Sequence, residues 1–233
     1  MLNDSGPVVA VVVAAGSGSL LGAPVPKALV DLDGVPLVRR SVDALVAGGV
    51  TQVVVTIPDG LAAEFASALD GVAVPVRCIV GGETRQDSVR IGLAALDAPD
   101  DAVALVHDAA RALVPAPVVS AVAAAVADGA QAVIPVVPVI DSIREVGDGD
   151  SRIVDREPLR AVQTPQAARL GALRGAHAAA AQAGAVVTDD AAVCELAGMR
   201  VTLVPGHRDA LKITEPIDLA LAGAILQTRN QHP

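Results

Sequence analysis

The sequence contains almost no aromatic residues: Phe65 stands alone, and neither Trp nor Tyr occurs. Proteins often recognise a nucleobase by stacking it on an aromatic ring, so any base bound here must be recognised by the backbone and small polar groups. Cysteine is also scarce. Cys78 and Cys194 lie far apart in apolar stretches, without the spacing of a metal motif or a disulfide framework, so neither is indicated.

Long apolar runs and excess positive charge are missing as well. No stretch reaches the roughly 18 consecutive apolar residues of a transmembrane helix, and the first residues lack the basic segment of a signal peptide. The formal net charge of −9 argues against non-specific binding to nucleic acid or to an anionic membrane. We therefore expect a soluble, cytoplasmic protein that holds anionic ligands with a few placed cations and backbone amides.

What the 233 residues do contain is an alternation of short β-branched runs and alanine-rich segments with helical spacing. Such alternation predicts an α/β fold with a mainly parallel twisted sheet and helices on both faces. The predicted strands cover 8–15, 51–57, 74–80, 102–107, 132–137 and 200–205. The predicted helices cover 35–49, 61–71, 84–98, 116–129, 167–182, 189–197 and 216–227.

The alternation breaks after residue 137, around the turn at 147–150. The apolar positions there predict a hairpin, with Ile140, Ile143 and Val146 facing Ile153 and Val154. Because an isolated two-stranded ribbon is only marginally stable, we expect it to pack on another element or on a second subunit. No repeat or linker interrupts the chain, so we predict one domain over 1–233 with a protruding β-arm at about 138–160.

A glycine-rich loop follows the first predicted strand. It fits neither the Rossmann spacing, because its third glycine falls at Gly22, nor the Walker loop, because Lys27 follows a proline. The consecutive amides of Gly16, Ser17 and Gly18 can still form an anion-binding concavity, with Lys27 as a point charge on the same phosphates. An ordinary turn with a surface lysine is the alternative.

Two further loops leave predicted strands at the same edge of the sheet, where α/β proteins bind ligands. The paired glycines at 81–82 let a ligand approach the backbone, and Ser88 is placed to hydrogen-bond a base edge, although such turns are also common without function. Asp108 ends the fourth strand and suits a ribose hydroxyl or a magnesium ion. We expect His107 to satisfy hydrogen bonds beneath the site and Arg111 to hold Asp108 or a neighbouring carboxylate.

The charged residues of these loops and of the arm favour one class of chemistry. Lys27, Arg156 and Lys212 supply cations, and Asp108 and Asp209 supply oxygens that can bind a metal. This set suits group transfer at a polyphosphate, where catalysis consists mainly of positioning and charge neutralisation. The arm's charges equally fit a solvated ribbon face. No nucleophile with an adjacent base and no G-x-S-x-G elbow occurs, which argues against hydrolases and covalent mechanisms.

Eight motifs in order carry a resemblance that spans about residues 8–226. They are AAGSGSLLG with Pro26-Lys27, GGETRQDSV, VHDAAR, DSIR, VDR, QTPQ, TDDA and RDALKIT. Together they resemble the 2-C-methyl-D-erythritol 4-phosphate cytidylyltransferases of the non-mevalonate isoprenoid pathway. The resemblance implies a Rossmann-like nucleotidyltransferase fold and a homodimer whose arms each reach into the partner's site. It also implies transfer of a cytidylyl group from CTP to methylerythritol phosphate, with Mg²⁺ and release of pyrophosphate.

The resemblance assigns roles to matching positions. It implies catalytic roles for Lys27, Lys212 and Arg156. It implies that the nucleotide contacts Ala14, Ala15, Gly16, Ser17, Gly18, Gly82, Glu83, Ser88, Asp108 and Ala109. It implies that the alcohol phosphate contacts Asp209 and Lys212, together with Ser142 and Arg156 of the partner subunit. Asp108 and Asp209 are the implied metal ligands.

One departure from the family pattern concerns the glycine-rich loop, where the family carries an arginine at the place of Leu20. Losing such a cation commonly lowers the rate roughly a hundredfold to a thousandfold. Glu83 and Ser142 replace the more usual aspartate and threonine and keep their chemistry. Three functions stay open: an active cytidylyltransferase in which Arg111, Arg208 or the metal compensates, an enzyme for another alcohol phosphate such as ribitol 5-phosphate, or a catalytically weak nucleotide-binding paralogue.

Overall fold

The computed structural model describes residues 6–16 and 26–231, and its main feature is an eight-stranded sheet. Its strands are β1 Val8–Val13, β4 Gln52–Ile57, β5 Val76–Val80, β6 Val103–Asp108, β7 Ala132–Pro138, β10 Arg160–Val162, β11 Gln166–Arg169 and β12 Val201–Pro205. Two small pairs stand apart from it, β2 Asp31–Leu32 with β3 Val35–Pro36, and β8 Ile143–Val146 with β9 Ser151–Val154.

The sheet is mainly parallel, as the sequence predicts. β1 lies at its centre and pairs in parallel with β4 and β6, β4 pairs in parallel with β5, and β12 pairs in parallel with β7. The β1, β4, β5 and β6 strands therefore end at the same edge of the sheet. β11 runs antiparallel between β6 and β7, and β10 runs antiparallel along β7. All six strands predicted from β-branched runs are present.

The strand β11 corrects the sequence prediction, which placed a helix over 167–182. That helix begins only at Leu170, and the preceding Gln166–Arg169 segment is a sheet strand. Alanine favours helices, so the segment lacks a strand pattern of its own. Its Ala167 and Ala168 are buried and pair with both β6 and β7. Tertiary pairing between two buried strands overrides the local preference.

Helices cover both faces of the sheet, as predicted. They are α1 Leu37–Ala47, α2 Ala62–Ala68, α3 Arg85–Ala95, α4 Ala116–Ala127, α5 Leu170–Gln182, α6 Asp190–Leu196 and α7 Pro216–Gln231. Successive β1 side chains alternate between two cores: Ala10 and Val12 pack with α1 and α4, and Val9 and Val11 pack with α3 and α5. None of the described helices combines the length and apolar character needed to cross a membrane.

The arm is a two-stranded hairpin between β7 and β10. Ile143 lies opposite Val154, as predicted, but Val146 lies opposite Ser151 and Ile153 lies opposite Arg144. The prediction that Val146 faces Ile153 or Val154 is therefore wrong. The turn sets this register, because the amide of Gly147 donates to the carbonyl of Asp150 at 2.9 Å and closes the loop at four residues.

A buried hydrogen-bond relay joins the end of β6 to the loop before β11. The Asp108 amide donates to Thr164 Oγ1 at 3.1 Å, Thr164 Oγ1 lies 3.0 Å from His107 Nδ1, and His107 Nε2 lies 3.3 Å from the Arg111 carbonyl. These partners assign the neutral tautomer with the proton on Nε2. The prediction that His107 satisfies hydrogen bonds beneath the site is confirmed.

The pH dependence of folding tests this relay. Burial, the dominant cause, lowers the pKa of His107 to about 4 from 6.5. The unfolded chain then binds the proton first, so this residue's contribution to stability holds above pH 6.5 and is lost as pH falls toward 4. Between pH 7.5 and 5, the free energy of unfolding should fall by about 2 kcal/mol more in the wild type than in His107→Gln. Urea titration measures the free energy of unfolding of both proteins at each pH. If this free energy changes with pH equally in the wild type and in His107→Gln, the result contradicts the relay.

Candidate functional site

A cleft of about 370 Å³ opens at the edge where β1, β5 and β6 end. The segments that follow those strands line it, together with the first turn of α3 and two lysines from distant parts of the chain. Most residues predicted to bind nucleotide come together here. These are Ala14, Ala15, Gly16, Gly82, Glu83, Ser88, Asp108 and Ala109, and the two lysines are Lys27 and Lys212. Their contacts with ligands stay predictions.

Some predicted residues do not line the cleft. Ser17, Gly18 and Leu20 lie outside the described residues. Asp209 stands beside the cleft, and Ser142 and Arg156 are exposed on and next to the arm. The suggested compensating cations Arg111 and Arg208 are also absent from the lining of the cleft within 6–16 and 26–231.

Lys27 and Lys212 are the only lysines in the 233-residue sequence. Lys27 begins a short 3-10 turn at Lys27–Leu29 that follows Pro26, and Lys212 follows a second such turn at Arg208–Ala210. Partial burial lowers the pKa of Lys27, and repulsion by Lys212 lowers it further, against the attraction of Asp108. Two like charges held in one cleft indicate a site that suits polyanions.

Asp108 is the carboxylate around which the cations gather. Its Oδ1 lies 3.2 Å from Arg85 Nε, and its Oδ2 lies 3.0 Å from Lys212 Nζ and 3.9 Å from Arg111 Nε. Burial alone would raise its pKa, but Arg85 and Lys212 hold the pKa far below its usual range. Asp108 is therefore ionised at neutral pH. The sequence predicts that Arg111 holds Asp108 or a neighbouring carboxylate, and the structure shows the first of these, at 3.9 Å.

The double glycine at 81–82 makes room for the loop that closes the cleft. A Cβ on Gly81 would lie 2.6 Å from Ala15 Cβ and 2.7 Å from Ser88 Oγ, so a side chain would displace the floor of the cleft. The Ser88 hydroxyl accepts from the Gly82 amide at 3.1 Å and donates to the Thr84 carbonyl at 3.0 Å. The Ser88 hydroxyl therefore orders this loop, and recognition of a base by Gly82, Glu83 and Ser88 stays a prediction.

Hydrogen bonds from side chains and from the backbone fix the segment that carries Lys212. Gln163 donates to the His207 carbonyl at 2.9 Å and accepts from the His207 amide at 3.1 Å. Arg111 donates to the Ala210 carbonyl at 2.8 Å, and the Ile213 amide donates to the Ala110 carbonyl at 2.8 Å. These contacts place Lys212 beside Asp108.

Asp209 lies in the same segment, and its carboxylate has a partner in the C-terminal helix. Arg229 donates to Asp209 Oδ2 through Nε at 2.9 Å and through Nη2 at 2.6 Å. Sequence reasoning did not identify Arg229, because only the fold brings α7 to this loop. Both contacts go to Oδ2, whereas Oδ1 lies 3.4 Å from His207 Nδ1. Metal or alcohol binding by Asp209 stays a prediction.

The donor set tests whether Mg²⁺ fits this site. No group of three or more His, Cys, Asp or Glu side chains with metal-binding geometry occurs in the described part of the chain. Mg²⁺ usually binds through one or two carboxylates together with substrate phosphates and water. The ionised Asp108 meets that pattern, so the residues fit an ion that arrives with the nucleotide rather than an all-protein cage.

Two residues that sequence reasoning missed extend the site inward. Arg85 lines the cleft and contacts both Asp108 and Asp190, which is buried at the start of α6. The motifs GGETRQDSV and TDDA contain them, but no local pattern indicates that residues 105 positions apart form an ion pair.

Known proteins resemble this chain in sequence and in fold. The family model described as 2-C-methyl-D-erythritol 4-phosphate cytidylyltransferase matches residues 8–228. A protein of that name from Streptomyces coelicolor is 45% identical, covering 94% of this chain and 85% of the relative. Another from Saccharopolyspora erythraea is 48% identical, covering 94% of this chain and 99% of the relative.

A solved structure agrees with these relatives. The 2-C-methyl-D-erythritol 4-phosphate cytidylyltransferase from Thermus thermophilus has a TM-score of 0.78 and 36% identity, over 94% of this chain and 98% of that one. Sequence similarity over nearly the full length and the shared fold lead to one conclusion. This chain belongs to the 2-C-methyl-D-erythritol 4-phosphate cytidylyltransferase family of nucleotidyltransferases.

Proposed function

We propose that this chain joins CTP and 2-C-methyl-D-erythritol 4-phosphate, giving 4-diphosphocytidyl-2-C-methyl-D-erythritol and pyrophosphate in isoprenoid biosynthesis. Family membership supports the reaction. The observation that carries it is the convergence of Lys27, Lys212 and Asp108 on one cleft. The cytoplasmic location inferred from the sequence stays a prediction.

The chemistry requires two anions to meet in line. A phosphate oxygen of the alcohol phosphate attacks the α-phosphorus of CTP, and the bond from that phosphorus to the pyrophosphate oxygen breaks. Lys27 neutralises the triphosphate, and Lys212 receives the attacking phosphate. Charge at the reacting phosphorus is stabilised by these fixed cations. The Gly82–Glu83 backbone recognises cytosine, which accords with the lack of aromatic residues, and Asp108 and Ala109 border the ribose.

Magnesium is part of this proposal. Asp108 would hold the ion together with the substrate phosphates, and Asp209 would contribute through Oδ1, because Arg229 already contacts its Oδ2. When bound, Mg²⁺ neutralises phosphate charge and orients the triphosphate. Lys212 Nζ, which pairs with Asp108 in the free protein, would pair with the incoming phosphate instead.

The other half of the proposal is a homodimer in which Ser142 and Arg156 of one subunit complete the site of the other. Both residues are exposed in a single chain, and within residues 6–16 and 26–231 Arg156 donates only to the Ile140 carbonyl of its own arm. The arm also exposes apolar side chains, with Val146 79% and Ile153 63% accessible. Exposed apolar groups on a protruding ribbon favour packing against a second copy.

Pyrophosphate release tests the reaction directly. With CTP and Mg²⁺, the purified chain should turn over with methylerythritol phosphate and not with ribitol 5-phosphate. Lys27→Ala should lower kcat by about a thousandfold or more, because a fixed charge at the reacting phosphates is lost. Arg39→Ala is the matched control, since Arg39 pairs with Asp43 on α1 at 2.8 Å and should keep wild-type turnover. Release only with another alcohol phosphate, or none at all, would contradict the proposal.

Complementation between two inactive variants tests the shared site. Arg156→Ala and Lys212→Ala should each be inactive alone. After mixing under subunit exchange, heterodimers contain one site with both residues intact, because one chain supplies the arm and the other supplies the cleft. About a quarter of wild-type activity should return. If mixing restores nothing although exchange is demonstrated by mass spectrometry, the arm does not act on the partner's cleft.

A further inference from the structure

We infer that Arg85, Asp190 and His177 form a positioning chain that orients Asp108 from behind the cleft. The inference rests on the proposed function only in taking Asp108 as a group that meets the nucleotide. It adds three residues to which the family resemblance assigns no role above, two of them buried in the core.

The chain is continuous in space from the cleft to the core. Arg85 Nε lies 3.2 Å from Asp108 Oδ1, and Arg85 Nη2 lies 2.8 Å from Asp190 Oδ2. On the far side, His177 Nε2 of α5 lies 3.2 Å from Asp190 Oδ1, although the angle falls short of hydrogen-bond geometry. Four residues on β6, α3, α6 and α5 are thus linked one after another.

The Asp190 carboxylate does not cap its own helix. Asp189 caps α6 by accepting from the Ala192 amide at 3.0 Å, and Gln166 accepts from the Ala191 amide at 2.8 Å. The Asp190 carboxylate points elsewhere, toward Arg85. Its placement is therefore explained by the guanidinium it contacts rather than by capping.

Burying this charge is costly for the fold. Asp190 and His177 are each only 1% exposed, and an isolated carboxylate in such a place loses several kcal/mol of hydration, about what its partners return. Burial alone would raise the pKa of Asp190, but His177 and Arg85 lower it, so the carboxylate stays ionised. Apolar residues of similar size commonly give equal or greater stability at such positions. A role of Asp190 toward the cleft, through Arg85, explains why a charged residue occupies this buried position.

The planar guanidinium of Arg85 couples the position of Asp190 to the orientation of Asp108. Arg85 contacts the two carboxylates through different nitrogens of one rigid group, so fixing one nitrogen on Asp190 fixes the direction in which Nε faces Asp108. With Oδ1 of Asp108 held by Arg85, Oδ2 faces Lys212 at 3.0 Å. Without Asp190, Arg85 is free to rotate toward the cleft and Asp108 loses its fixed orientation.

A double-mutant cycle tests the inference. Asp190→Asn should lower kcat/KM for CTP about tenfold, within the range of coupling between contacting residues. The same substitution should have no further effect in an Asp108→Asn background, because the chain acts only through Asp108. If Asp190 had a purely structural role, its substitution would lower kcat/KM by the same factor in the wild-type and Asp108→Asn backgrounds. That additive result would overturn the inference.

Controls separate positioning from loss of stability. Val122→Ala removes buried volume from α4, on the opposite face of the sheet, and should lower the melting temperature while changing kcat/KM less than about twofold. If Asp190→Asn does not fold, His177→Asn provides the same cycle with an expected loss of about threefold. An unchanged kcat/KM in whichever variant folds would also overturn the inference.

The result is distinguishable from failure of the proposed function. Wild-type turnover is measured first, and a wild type that releases no pyrophosphate contradicts the function before any variant is compared. The same double-mutant cycle is then repeated with the dissociation constant for CTP, measured by equilibrium dialysis. Additive losses of CTP affinity overturn the positioning chain, and coupled losses support it.

Discussion

The structure depends on one carboxylate at the carboxyl edge of the sheet. Asp108 ends the buried strand β6, and Arg85, Arg111 and Lys212 approach it from three different parts of the chain. Each cation would repel the others without it. The ionised Asp108 therefore lets a chain of net charge −9 assemble a cationic cleft at a single place. In the proposed function, an entering polyphosphate takes over the charge compensation that Asp108 provides in the free protein.

Much of this arrangement follows from the sequence because it is local. The β-branched runs, the glycine pair at 81–82 and the carboxylate at the end of β6 mark their own positions, and parallel strands bring the loops after them to one edge. Lys27 belongs to the first of those loops. Lys212 is predicted from its loop, which follows the sixth predicted strand, and the resemblance adds its role toward the alcohol phosphate.

The remaining features could be identified only from the folded structure. The strand β11 has a helix-like composition and acquires its conformation from β6 and β7. The pairs Arg85–Asp190 and Asp209–Arg229 join residues far apart in sequence, and each resembles an ordinary solvated charge in isolation. The hairpin register shows the same limit at short range, because the four-residue turn, rather than the matching of apolar side chains, decides which residues face each other.

Chemical labelling of the only two lysines tests the central claim that both belong to one polyanion cleft. An amine-directed acylating reagent followed by mass spectrometry measures the labelling rate at Lys27 and Lys212 with and without CTP and Mg²⁺. The account predicts that CTP slows labelling of both lysines together, whereas the N-terminal amine is labelled at an unchanged rate. If saturating CTP leaves both lysines as reactive as in the free protein, the convergence of these cations is not a nucleotide site.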